Sequence, residues 1–268
     1  MKKIFMRIIF GTLLLGLFFS SITISAINNV GPLYTCPANP DPIVDGTIDK
    51  IVEWKAGVPL TVVLFDLTNQ ANKIVIEIMS VYGNNYILYW AVTIPDTAIN
   101  PKDYFFIVIR THEVNPIVVD PTPNGKFGAE HDIKFIWLYN NDTMDAFTSG
   151  VAFTWKDDIS NLGTNDCVGK ARNNRTHTTI EMSTPFNSGD ANGYDFNTYV
   201  NGTIDIFLWY HDEDNHVDYT QIRESDVDWD YIEQKIQCTK TSPISIYAIF
   251  LSLLSTAVFV ILVRKRKR

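Results

Sequence analysis

Flat aromatic rings stack on the apolar face of a sugar, and amides or carboxylates at their edge fix its hydroxyls. A glycan cleft therefore needs both types close together. Trp137, Trp155, Trp209 and Trp229 offer platforms of that kind. Thr203 to His211 alternates, which on a strand sends Ile204, Ile206, Leu208 and Tyr210 to one face and Asp205, Phe207, Trp209 and His211 to the other. The first set reads as core. The second mixes rings with polar ends, as a ligand-facing surface requires, and reads equally as a half-wet outer face. Trp137, Trp155, Phe207, Trp209 and His211 are the expected ligand contacts, with a glycan or small solute as the partner; a haem b electron-transfer domain or a structural envelope protein with no small ligand is the alternative.

Hard cations need several oxygen ligands at once. Two segments offer them: Asp190, Asn192 and Asp195 around Gly193, and Asp212, Asp214 and Asp218 in the run from His211 to Asp218. Calcium is the cation such sets would take. Neither segment has the twelve-residue loop with its closing Glu, and the default reading of each is a solvated turn. Haem b is the other cofactor the residue types admit, since it needs two axial ligands facing each other, commonly Met with His or Lys. Met182 with Lys134 or His131 is the set offered, although Met182 shares a strand face with Thr178 and Ile180, as a core residue would. Covalent haem is excluded by the lack of Cys-x-x-Cys-His. No nucleophile elbow, phosphate-binding glycine loop, dinucleotide fingerprint or His-Glu-x-x-His spacing occurs, so a non-enzyme is expected.

These residues must be held by elements, and the ends of the chain bound where those lie. Residues 1–26 carry Lys2, Lys3 and Arg7, then an apolar run to Ile24 and the small pair Ser25-Ala26, the pattern of a secretory signal peptide. An uncleaved anchor is the alternative. Ile244 to Val263 is uncharged, long enough as a helix to rise roughly 30 Å, and Arg264-Lys265-Arg266-Lys267-Arg268 follows. The expectation is one C-terminal transmembrane helix over 244–263 with a basic cytoplasmic tail over 264–268, which makes a single-pass protein with its N-terminal domain extracellular. A sorting signal removed on attachment is the runner-up. Between them lie a lead-in (27–40), the folded region (41–238) and a short linker (239–243).

The formal charge of −8 hides an asymmetry. Eight of the 22 cations sit in the two ends, leaving 14 against all 30 acids, a balance of −16 outside the membrane. Nucleic acid is excluded as a partner for such a surface. Cys36 and Cys238 bracket the folded region and are expected to pair, with Cys167 left over, although Cys167 could partner either. Asn141, Asn174 and Asn201 open glycosylation sequons.

Short β-branched and aromatic runs broken by Gly, Pro, Asn and Asp clusters recur at 60–65, 73–79, 86–94, 104–109, 131–139, 177–182 and 203–210. No helical period competes, so an all-β, antiparallel β-sandwich is expected beside the membrane helix. The segment Asp41-Pro42-Ile43-Val44-Asp45-Gly46-Thr47-Ile48-Asp49 with Glu53-Trp54 resembles the opening of the DOMON-like and family 9 carbohydrate-binding-module domains. Asn85-Tyr86-Ile87-Leu88-Tyr89-Trp90-Ala91-Val92 and Ile180-Glu181-Met182 resemble their later strands. The resemblance implies a sandwich whose concave face takes a small ligand, sugars in some members and haem b in others. It also implies a structural role for Trp54.

Overall fold

The computed structural model describes residues 31–111, 129–149, 155–161, 163–187, 196–221 and 231–238. Among these residues thirteen strands form. In the first half they are β1 (Leu33–Pro37), β2 (Leu60–Asp66), β3 (Lys73–Tyr82), β4 (Ile87–Ile94), β5 (Tyr104–Thr111) and β6 (Ala129–Trp137). After them come β7 (Thr143–Ser149), β8 (Trp155–Asp157), β9 (Val168–Asn173), β10 (Thr178–Pro185), β11 (Thr203–Asp212), β12 (Val217–Thr220) and β13 (Ile232–Lys235). The seven expected runs all form strands (β2 to β6, β10 and β11), because branched and aromatic side chains fit a pleated, half-buried surface, while β1, β7, β8, β9, β12 and β13 are not among them.

The strands pair antiparallel in the order β8-β7-β6-β5-β11-β12-β2-β3-β4-β10-β9. β11 is where this sheet turns over. Its C-terminal half (Trp209 to Asp212) pairs with β12, which hands on to β2, while its N-terminal half (Thr203 to Ile206) pairs with β13. β13 runs parallel to β1, and β1 parallel to β3. The far ends of the sheet also meet: the Thr143 hydroxyl donates to the Cys167 carbonyl at 2.8 Å, and a Cβ on Gly169 would lie 2.8 Å from Ile136 Cδ1. The result is a sandwich, as the strand pattern predicts.

Where β1, β3, β4 and β13 converge, Gln234 is wholly buried and wholly satisfied. Its amide donates to the Thr35 and Ser80 hydroxyls at 2.8 and 2.9 Å, and its oxygen accepts from the Trp90 indole at 2.9 Å. A buried amide left short of a partner would cost about 1–3 kcal/mol, so this set specifies one register for four strands.

The outward face of β10 carries Glu181, also wholly buried. One carboxylate oxygen accepts from the backbone N–H of Asp45 and Gly46 at 2.9 and 2.8 Å, the other from the Trp54 indole at 2.8 Å. Gly46 sits at φ +84°, and a Cβ there would lie 3.1 Å from Arg172 Cβ, so the loop closes on the strand only with glycine. Trp54 then covers Met79, Val81, Tyr89 and Ala91 on the outer face of β3 and β4. The three motifs that carry the family resemblance meet at this carboxylate, and Trp54 is structural as the resemblance implies.

One expectation is corrected. No helix among the described residues is long and apolar enough to cross a membrane; the helical piece they contain is a single 3-10 turn at Ile159–Asn161. Residues 244–263 lie outside the described residues, and the length and hydropathy that nominate a span are necessary to it without being sufficient. Over the described residues the fold class is all-β, and the expected transmembrane helix and the single-pass surface location that depended on it find no support there. The regions 1–26, 239–243 and 264–268 also lie outside the described residues. Cys36 pairs with Cys238, and Cys167 is free and buried. Asn174 and Asn201 are exposed at turns, while Asn141 is half-buried with its side-chain oxygen accepting from Ala171 N–H.

Two outcomes test this architecture. Glu181→Gln keeps the volume but replaces one of the two accepting oxygens by a donor that faces an N–H group, so urea denaturation is expected to show a loss of about 2–3 kcal/mol. Paired Cys36→Ser and Cys238→Ser substitutions open a loop of 202 residues' separation. They are expected to cost about 2–5 kcal/mol, and an unchanged urea midpoint in either experiment contradicts the corresponding role.

Candidate functional site

β5, β6 and β11 lie side by side, and the face they turn away from Ile206 and Leu208 is aromatic. Phe106, Phe135, Phe207 and Trp209 form its buried floor, with Tyr104, Trp137 and Tyr231 packed against it partly exposed. Tyr104 stacks on His211 with centroids 4.8 Å apart and on Phe135 at 5.1 Å; Phe106 stacks on Trp209 at 5.4 Å. Trp137 lies 4.2 Å from Phe135, and Trp155 of β8 lies 5.9 Å from both Phe106 and Phe135. All five residues expected to touch a ligand come together here. They do not share one role. Phe207 is wholly buried and Trp209 is 5% exposed, so these two support the surface, whereas Trp155 is 36% exposed and Trp137 and His211 are half-buried.

A polar rim closes one end of the band. Asp218 lies directly across from His211 on β12, and its Oδ1 accepts from the Trp209 indole at 3.0 Å and the Tyr104 hydroxyl at 3.3 Å. The same oxygen stands 2.9 Å from His211 Nδ1, while His211 Nε2 stands 3.3 Å from Glu213. Lys102 donates to the other oxygen of Glu213 at 2.7 Å, which holds the Glu213 carboxyl below its ordinary range. Burial, then the charge of Asp218, pushes the Tyr104 phenol well above its ordinary value, so it stays a neutral donor.

The cation expectation fares differently. Asp212 is one residue on from His211, so it faces the opposite side of the hairpin from Asp218. Its two oxygens accept from the backbone and side-chain amides of Asn215 at 3.2 and 2.7 Å, and Asp214 is exposed at the turn. These are the contacts of a local turn, and no group of three or more His, Cys, Asp or Glu that could hold a metal ion occurs among the described residues. Asp190, Asn192 and Asp195 lie outside the described residues, as does Trp229.

Nor do the haem candidates form a ligand pair. Met182 is buried in the core on the face of β10 that also buries Ile180. The Lys134 ammonium is taken up by the carboxylates of Asp145, Asp132 and Asp166 at 2.5, 3.1 and 3.2 Å. His131 lies beside Arg110, whose guanidinium packs 4.2 Å over the Tyr231 ring on the aromatic face.

Two features escaped the sequence reading. The cluster around Lys134 needs the register of β6 against β7, which spacing alone does not fix. A concavity of about 630 Å³ is lined by Asn85, Tyr86, Phe186, Asn187, Thr198 and Tyr199, among others. Tyr86 there is 61% exposed at φ +56°, a conformation unfavourable for a bulky residue, and it ends the strand expectation at Ile87. Its signal in the sequence was the Asn84-Asn85 pair just before it, a turn-forming dipeptide.

No family model and no curated protein matches the chain. Among solved structures it is similar to a protein from Bacteroides uniformis ATCC 8492 that has been proposed to bind carbohydrate, at 4% identity and a TM-score of 0.47, covering 76% of this chain and 98% of that one. Likeness at that level carries no argument about function.

His131 supplies a pH test of the packing beneath the site. Burial, then the nearby Arg110 charge, pulls its pKa from 6.5 down to about 4, and its Nε2 finds no hydrogen-bond partner. The unfolded chain takes up the proton first as pH falls, so His131 removes stability between pH 6.5 and about 4. The loss is on the order of 2–3 kcal/mol. His131→Gln is expected to flatten that part of a stability-against-pH curve; an identical curve rules the assignment out.

Proposed function

We propose that the domain is a non-catalytic carbohydrate-binding module whose contact surface is the aromatic band of β5, β6, β8 and β11. The observation that carries this reading is the placement of Trp155 and Trp137, both solvent-accessible, on a continuous layer of rings that ends at Asp218, His211 and Glu213. Rings supply the stacking surface for a pyranose, and a carboxylate-imidazole rim supplies acceptors and donors for its hydroxyls. The floor of Phe106, Phe135 and Phe207 is too deeply buried to reach a ligand, and it fixes the outer rings so that little side-chain freedom is lost on binding.

The test is glycan-array screening of the full chain, followed by titration calorimetry on the best oligosaccharide. Trp155→Ala is expected to weaken binding about fivefold, the equivalent of about 1 kcal/mol of stacking. Tyr199→Ala, in the separate concavity beside Tyr86, is expected to leave it unchanged. Loss on Tyr199→Ala alone moves the site to that concavity, and an array with no bound glycan sinks the proposal.

A further inference from the structure

The sequence His131-Asp132-Ile133-Lys134 places Asp132 and Lys134 on one face of β6, and the β6–β7 register sets Asp145 directly opposite Lys134. Cβ atoms of such cross-strand partners stand about 4.5–5.5 Å apart, close enough for their side chains to meet. Lys134 and Asp145 are each 1% exposed, and the Lys134 Nζ lies 2.5 Å from Asp145 Oδ2. Asp132 and Asp166 flank the same nitrogen at 3.1 and 3.2 Å, and the Phe196 ring centre lies 5.7 Å away. Asp132 Oδ1 is buried without a hydrogen-bond donor, and Asp145 Oδ1 and Asp166 Oδ2 are buried with no donor except a proton carried between their two carboxyls. One ammonium cannot satisfy three ionised carboxylates out of water.

We propose that Lys134 and Asp145 condense into an intramolecular amide, a covalent cross-link between β6 and β7 formed by the folded chain itself. The groups present fill every role the reaction needs. Burial, then the neighbouring Asp132, pushes Asp145 up to about 10, so its carboxyl is neutral and its carbon electrophilic. Asp166 is held below its ordinary value, chiefly by a hydrogen bond from Asp145 and the Lys134 charge against the opposing effect of burial, so it stays an ionised base.

Asp166 takes one proton from the Lys134 ammonium. The freed lone pair then attacks Asp145 Cγ and forms the C–N bond. The nitrogen's second proton passes to the departing hydroxyl, relayed by Asp132 or Asp166, as the C–O bond breaks with its electron pair. The products are an amide with one N–H, a water molecule and a protonated Asp166, with no outside reagent. The buried carboxylates hold the Lys134 ammonium strongly protonated, which opposes the first step. Fixing amine and carboxyl in contact offsets that, since well-oriented intramolecular pairs react with effective molarities of roughly 10⁵–10⁸ M. Asp166, whose side chain is 17% exposed and receives the Thr184 hydroxyl at 3.2 Å, gives the water its way out.

Tryptic mapping of the denatured full chain decides the matter. The cross-link removes the cleavage site at Lys134, so peptide 127–156 is expected as one looped species lighter by one water than its sequence. Recovery of 127–134 and 135–156 as separate peptides of full mass overturns the proposal. So does dehydrated 135–156 still cut at Lys134, which marks a succinimide at Asp145. Asp166→Asn leaves both partners in place and is expected to abolish or greatly slow the loss of water. Its fold is checked by circular dichroism, and undiminished cross-linking in a folded Asp166→Asn removes Asp166 from its role as base. The wild-type map stands by itself if the variant does not fold.

Discussion

A single carboxylate organises one whole side of this domain. Glu181 is buried on the outward face of β10, where an apolar residue would be cheaper to place, and it is tolerated because three donors converge on it. Those donors come from the Asp45-Gly46 turn and from Trp54, more than a hundred residues away in sequence. Without that anchor the opening segment has no fixed seat, and the patch of Met79, Val81, Tyr89 and Ala91 loses its cover. Burial raises the Glu181 carboxyl above its ordinary value even against these hydrogen bonds, so desolvation is the larger of two opposed effects. The site is a compromise in which specificity of the fold is bought with a partly penalised charge.

On the other side of the sandwich the outer face is covered by aromatic rings. The domain thus has apolar packing in three levels: between the sheets, under Trp54, and in the β5–β6–β11 band. This explains why β6 buries both of its faces, an arrangement that antiparallel strands with one wet face do not show. It also explains why polar residues on β6 must find partners inside the protein.

Strand existence was legible because β-branched runs such as Leu60 to Phe65 and Lys73 to Met79 can do little else than pair, and β2 and β3 occupy those positions. The convergence of Trp137, Phe207, Trp209 and His211 was legible because alternation fixes which residues share a face. Asp212 and Asp218 part company only through the β11–β12 register, which sets His211 and not Asp212 opposite Asp218, so counting carboxylates along the chain gave a misleading cluster. What could not be read was anything set by register between strands: Lys134 opposite Asp145, or Gln234 among Thr35, Ser80 and Trp90. The terminal apolar run illustrates a different limit, since composition describes a segment's affinity for lipid without describing the folded domain beside it.

The pairing of Cys36 with Cys238 has a mechanical meaning. Their Cα atoms are 4.4 Å apart, and β1 lies next to β13, so chain enters and leaves the domain at one point. Tension applied through the two flanking segments would pass across the sulfur bridge and bypass β2 to β13, the twelve described strands between the cysteines. Leu33 to Thr35 of β1 lie ahead of the bridge and would bear the load, while β2 to β13 would be shielded from it and held folded in a stretched chain.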